Sequence, residues 1–272
     1  MSTATHMQKP AGVAPLRVTQ ARVICSEWTK LWSLRSTYIA LLVMFVATVG
    51  IGVIESVVTV NEWHTMSASS RASFDPITSS LTGVYFAELT VGVMGVLLIS
   101  GEYATGMIRA SMTVVPRRLP VFWGKIVVLV AVFGAASLVS VFVSFFASQA
   151  ILAGHDGVSI TRPHAFEMTF DAFVFLTLIG IMALSLGVLI RSTAGGISTI
   201  VGILFVVPTV LELLPSHWYR LIGPYTPADA GEGLFAAPDP GHLSTLGSVI
   251  VLLVWTGLGI VAAAVRLRRT DA

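Results

Sequence analysis

Uninterrupted apolar stretches rise repeatedly from a background of small polar residues along this chain, over about 37–58, 81–101, 124–153, 170–190, 194–214 and 243–265. None alternates apolar with polar residues as a barrel strand would. Each meets or approaches the roughly 20 residues with which a helix crosses a bilayer. In hydrocarbon the backbone must satisfy its own hydrogen bonds, so the pattern predicts an all-α integral membrane protein with six transmembrane helices.

A different period precedes the first stretch, in "VTQARVICSEWTKLWSLRS". At 100° per residue Val18, Ala21, Ile24, Cys25, Trp28, Leu31 and Trp32 share one face, and Thr19, Ser26, Glu27, Lys30 and Ser33 hold the other. That predicts an N-terminal amphipathic helix lying in the membrane interface, with Trp28 and Trp32 as interfacial anchors. A plain basic segment beside the membrane is the alternative. Residues 1–17 read as a disordered tail and 18–268 as a single transmembrane domain. The stretch "PSHWYRLIGPYTPADAGEGLFAAPDPGH", 215–242, is too apolar for a free loop and predicts short re-entrant helices before the last span. "RSTAGG", 191–196, leaves room only for a tight hairpin between the fourth and fifth spans.

Composition agrees: 55% of residues are hydrophobic and 11% charged, against about a quarter charged in a soluble domain. The first apolar run begins too late for a cleavable signal peptide. Of the 16 Lys and Arg residues only Arg71, Arg162 and Arg220 fall on the side away from the termini, so the positive-inside rule predicts cytoplasmic termini. The single cysteine excludes an intrachain disulfide, and the net charge of +2 is too small to imply a nucleic-acid partner. No G-x-x-x-x-G-K-[ST] phosphate loop occurs, and the histidines show no metal-ligand spacing, which predicts no metal and no catalysis in this chain. Glu55, Glu88 and Glu212 interrupt apolar runs. Glu55 and Glu212 lie near the outer ends and read as reaching headgroups. Glu88 lies about 10 Å deeper and reads either as a buried structural hydrogen bond or as part of a substrate path.

Between the second and third stretches lies "SGEYATGMIRASMTVVPRR". Wound as a helix over 102–115, it puts Glu102, Thr105, Gly106, Arg109 and Thr113 on one narrow stripe, and Pro116 ends it. Gly106 costs roughly 1 kcal/mol in a helix interior, which predicts close approach of another backbone there. Two readings stay open: a snorkelling turn whose arginines orient the protein, or a docking helix that receives force from a soluble partner.

In order, spacing and topology, "SEWTKLWSLRSTY", "GEYATGMIRASMTVVPRR" and "GKIVVL" resemble the membrane (permease) subunit of a bacterial type-2 ABC exporter, over roughly 18–269. The resemblance implies that the 102–115 segment is the coupling helix seated in a groove of the ATPase. Glu102 and Gly106 would take the family's acidic and glycine positions, and Arg109, Pro116 and Arg118 its basic and helix-ending ones. It further implies two copies of a separate ABC ATPase that bind ATP and magnesium, and no cofactor on this chain. A second permease, most simply a homodimeric copy, and a place in the bacterial inner (plasma) membrane follow too. The expected activity is export of an amphipathic or cationic substrate. An ion- or proton-coupled secondary transporter and a non-transporting membrane scaffold are the alternatives.

Overall fold

The computed structural model describes residues 19–107, 119–237, 241 and 243–269. Among them there is no strand. Helix α1 (Gln20–Ser33) is followed at once by α2 (Arg35–Glu62), with Leu34 extended between them. Two short helices, α3 (Ala68–Ala72) and α4 (Pro76–Leu81), lead into α5 (Val84–Ala104). Next come α6 (Leu119–Leu152), α7 (Ala165–Ile190) and α8 (Thr193–Glu212). Two short helices, α9 (Ser216–Ile222) and α10 (Pro227–Phe235), precede α11 (Thr245–Arg269).

Six helical segments are long and apolar enough to cross a membrane: α2, α4 with α5, α6, α7, α8 and α11. This fits a multi-pass membrane protein. The spans expected from sequence each have their helix, and most helices run past the expected ends. α2 continues to Glu62, and α6 starts at Leu119 because Pro120 is tolerated in a first turn, where its missing N–H would be unpaired anyway. Both ends of the described chain lie on one face of the bundle, here called the termini face.

The core is built on α7, which packs against α5, α6, α8, α10 and α11. Ala172, Phe175, Leu176, Ile179, Ala183, Leu184 and Val188 are fully enclosed along it. In the most apolar stretch of each helix, 56% of α4–α5, 50% of α6 and 56% of α7 is buried inside the protein, against 28% of α2, 22% of α8 and 22% of α11. The first three therefore make the interior, and the other three turn apolar side chains outward. α5 and α7 touch through glycines: a Cβ on Gly95 would lie 2.5 Å from the Gly180 carbonyl oxygen, and one on Gly187 2.9 Å from that of Val96. Small residues let helix backbones approach in lipid, where no hydrophobic driving force separates helix from tail.

α2 meets α6 through a four-residue spacing. Ala40, Met44, Thr48, Gly52 and Ser56 are buried on α2, facing Ser137, Ser140, Ser144 and Ser148 on α6. The Ser144 hydroxyl donates to the carbonyls of Ser80 at 2.7 Å and Thr48 at 3.1 Å. Gln149 donates to the Pro76 carbonyl and the Ser80 hydroxyl, both at 2.9 Å, and accepts from the Val158 N–H at 2.7 Å. This polar stitching fixes α4 against α2 and α6 on the face opposite the termini.

Two spans contain a turn of π-helix, Val130–Gly134 in α6 and Gly202–Val206 in α8. The second has a local cause. Pro208 has no N–H to give the Leu204 carbonyl, so the hydrogen-bond ladder is re-spaced just before it.

Candidate functional site

On the termini face, four charged side chains from three helices meet in the interior. α1 brings Glu27 and Lys30, α5 brings Glu102 in its last turn, and α6 brings Lys125 in its second turn. The Lys125 ammonium is 2.6 Å from Glu27 Oε2 and 2.8 Å from Glu102 Oε1, and donates its remaining proton to the Leu98 carbonyl at 3.0 Å. An ammonium has three protons to give, and all three are placed. Lys30 closes the ring, 2.7 Å from Glu27 Oε1 and 3.0 Å from Glu102 Oε1. Lys125, Glu27 and Glu102 are almost fully buried, and Lys30 is partly exposed.

Local sequence makes this meeting possible. Gly124 has no side chain to hold α1 away: a Cβ there would be 3.1 Å from Val23 and 3.6 Å from Glu27 Cγ. Gln20 ties the start of α1 to the start of α6 by donating to the Pro120 carbonyl at 3.0 Å. The α1–α2 joint is fixed by Thr37, whose hydroxyl donates to the Leu31 carbonyl at 2.7 Å.

The neighbouring residue on α5 is held from another side. Arg191, in the left-handed conformation that ends α7 (φ 57°), sets its guanidinium 5.3 Å from the centre of the Tyr103 ring. Thr193, opening α8, donates to the Ser100 hydroxyl at 3.2 Å. The last turn of α5 is thus joined to α1, α6, α7 and α8 at the point where the 105–118 connection departs.

Several expectations change at this site. Glu27 was placed on the solvent face of α1, but the buried face is Val23, Glu27 and Leu31. The apolar stripe with Ala21, Cys25 and Trp28 is exposed, while Trp32 is partly covered and stands 5.9 Å from Trp28, ring centre to ring centre. An acid that finds two lysines is cheaper inside than a bare charge would be, and the wheel cannot register partners from other helices. Glu102 belongs to α5 itself and points into the bundle, not along an exposed stripe. Gly106 does not sit in a helix interior either. It takes φ +71° just after Thr105 caps α5, its N–H donating to the Tyr103 carbonyl at 3.3 Å, and none of the described residues lies within 4 Å of where its Cβ would be. The left-handed turn that stops the helix, which glycine adopts freely, is reason enough for it within this chain. Thr105 donates its hydroxyl to the Gly101 carbonyl at 2.9 Å. Arg109, Thr113, Pro116 and Arg118 lie outside the described residues.

Lys30 lies beside the membrane-spanning segments. Partial burial would lower its pKa, but the hydrogen bond and charge of Glu27 and the charge of Glu102 outweigh it and hold the ammonium above its ordinary 10.5. Folding therefore tightens the proton on Lys30. Its stabilisation is fully present below pH 10.5 and lost as pH climbs through the raised value. Lys30→Met is expected to flatten the alkaline fall of the unfolding temperature, by about 1 kcal/mol or less because the group is partly solvated. An unchanged alkaline limb would count against the pairing.

Glu88, on α5 nearer the opposite face, is buried (3% exposed), whereas Glu55 and Glu212 are exposed. Among the described residues no group of histidine, cysteine or carboxylate side chains is placed to hold a metal. His164 pairs with Glu167 at 2.9 Å on the surface, and His155 packs against Trp63. Sequence reasoning missed the ring as a unit. The available signal was that Glu27, Glu102 and Lys125 all flank long apolar runs at the same face. Compared with family models and with curated proteins, the chain finds no match in either.

Proposed function

We propose that this chain is the permease subunit of an ATP-driven exporter of the type-2 ABC class, in a bacterial inner membrane with the termini face cytoplasmic. It would work with two copies of a separate ATPase and a second permease, most simply another copy of itself. One observation carries the reading: the buried ring of Glu27, Lys30, Glu102 and Lys125 at the root of the 105–118 connection.

A soluble engine pushing on that connection displaces the last turn of α5. Glu102 cannot move without Lys125 and the two α1 charges, because separating buried partners costs several kcal/mol. The push is therefore shared by α1, α5 and α6 together, and by α7 and α8 through Tyr103–Arg191 and Ser100–Thr193. In this reading Trp28 and Trp32 float α1 at headgroup depth, so the lever slides along the membrane surface instead of sinking. α9 and α10 serve as the re-entrant pair on the outer side, and the exposed apolar faces of α2, α8 and α11 meet lipid or the second permease.

The test is to isolate the native complex in mild detergent, identify the proteins that come with it, and measure ATP hydrolysis. Expected are a Walker-motif ATPase bound in equal number to this chain, and hydrolysis that rises with cargo. Export that stops when the proton gradient is dissipated while ATP is held high would favour a proton-coupled transporter instead, for which buried Glu88 would be the natural site.

A further inference from the structure

α5, α7, α8 and α10 line a half-open pocket of about 150 Å³ toward the face opposite the termini. Four carboxylates line it: Glu88, Glu212, Asp229 and Glu232. So do the rings of Tyr85, Phe175, Phe205 and Phe235, and no Lys, Arg or His is among its lining residues. Glu88 is 97% enclosed by its 3% exposure, and among the described residues no hydrogen bond or ion pair reaches its carboxylate. Glu232 on α10 lines the same pocket, so the only charges that share the space with Glu88 are of its own sign. Outside the spans, Tyr219 on α9 senses the same field: burial, then Asp229, then Glu232 and Glu212 push its hydroxyl up to about 12.

An unpartnered carboxylate inside a ring of acids asks for a cation. The described residues hold no metal-binding group, so a bare metal ion lacks its ligand set. The space is that of cavities that take up benzene, and is larger than a single ion needs. Aromatic faces attract cations that have shed water, best of all alkylated ammonium. The π-turn of α8 opens onto the same space, through Leu204 and Phe205.

We propose that this pocket is a binding site for a small organic ammonium cation, with Glu88 as counter-ion and the Phe175, Phe205 and Phe235 rings as its cage. The inference deepens the export reading by giving the cargo a charge and a size, and it rests on that reading only for what happens after binding.

The test is equilibrium binding of radiolabelled choline to the purified full-length protein in detergent, with 3,3-dimethyl-1-butanol, its uncharged isostere, as competitor. Saturable binding is expected, weakened about tenfold in Glu88→Gln and several-fold in Phe235→Leu, with little displacement by the alcohol. Glu232→Gln, at the partly exposed rim, is expected to weaken it less and serves if Glu88→Gln fails to fold. No saturable choline binding, binding unchanged in folded Glu88→Gln or Glu232→Gln, or equal displacement by the alcohol would overturn the proposal. Choline binding by a protein whose native membrane complex proves to contain no ATPase would sink the exporter reading alone. ATP-driven export of cargo by a protein that does not bind choline would sink this one alone.

Discussion

Replacing Lys125 with methionine is expected to cost about 3–5 kcal/mol, the toll for removing one partner of a buried ionic group. Methionine keeps the unbranched shape, so the space the side chain fills is little disturbed and the loss is one of charge. Glu27 and Glu102 would then share only Lys30, and the Leu98 carbonyl would lose its donor. Most of the protein should be lost as aggregate on size exclusion, and what survives should melt many degrees lower. Glu27→Gln added to Lys125→Met restores neutrality, leaving Lys30 with Glu102, and is expected to recover a good part of the loss. A double-mutant cycle measured by thermal unfolding in detergent reads the coupling directly. Additive effects would mean that the four charges are neighbours without being partners.

The second large effect is steric. Gly95→Ala puts a methyl group 2.5 Å from the Gly180 carbonyl oxygen and 2.9 Å from the Ala183 Cβ, on the crossing of the two innermost helices. No flexible side chain is there to yield, so α5 and α7 must part, at about 1–3 kcal/mol for alanine and more for leucine. Gly101 and Gly257 make the control. Both are helical with nothing within 4 Å of a new Cβ, and alanine there should stabilise by about 0.5–1 kcal/mol through helix propensity. Unfolding temperatures of the three variants should separate clearly, with Gly95→Ala below the parent and the other two at or above it. If Gly95→Ala melted with them, the close crossing would be disproved.

The spans were readable because one quantity, a long run without charge, determines them locally. Their ends were less so. α2 runs past residue 58 and α6 starts ahead of 124, since a helix continues through polar residues wherever its next turn has a neighbour. The α2–α6 seam was visible in principle as Met44, Thr48, Gly52 and Ser56 at steps of four, matched by Ser140, Ser144 and Ser148. It is hard to see against a background so rich in glycine, serine and alanine. The charged ring was hidden for a different reason. A helical wheel sorts residues by water against oil, and so sends every glutamate outward. Whether Glu27 is buried depends on Lys125, 98 residues away in sequence, and one helix alone carries no trace of that. Gly106 was recognised as needing a cause, but glycine serves both close approach and a positive φ. Only the backbone reveals the second. Glu88 stood out because isolated carboxylates in apolar runs are rare, yet its companions Asp229 and Glu232 sit on α10, in a stretch whose fold no simple period announces.

The ring also imposes a timetable on synthesis. Chains are made from the amino end, so Glu27 and Lys30 leave the ribosome well before Lys125 exists. Until the third span arrives, α1 has no buried place to go and must wait at the membrane surface, its charges facing water. Docking of α1 is therefore a late step in assembly, and a nascent chain stalled before Leu119 would still carry its first helix undocked.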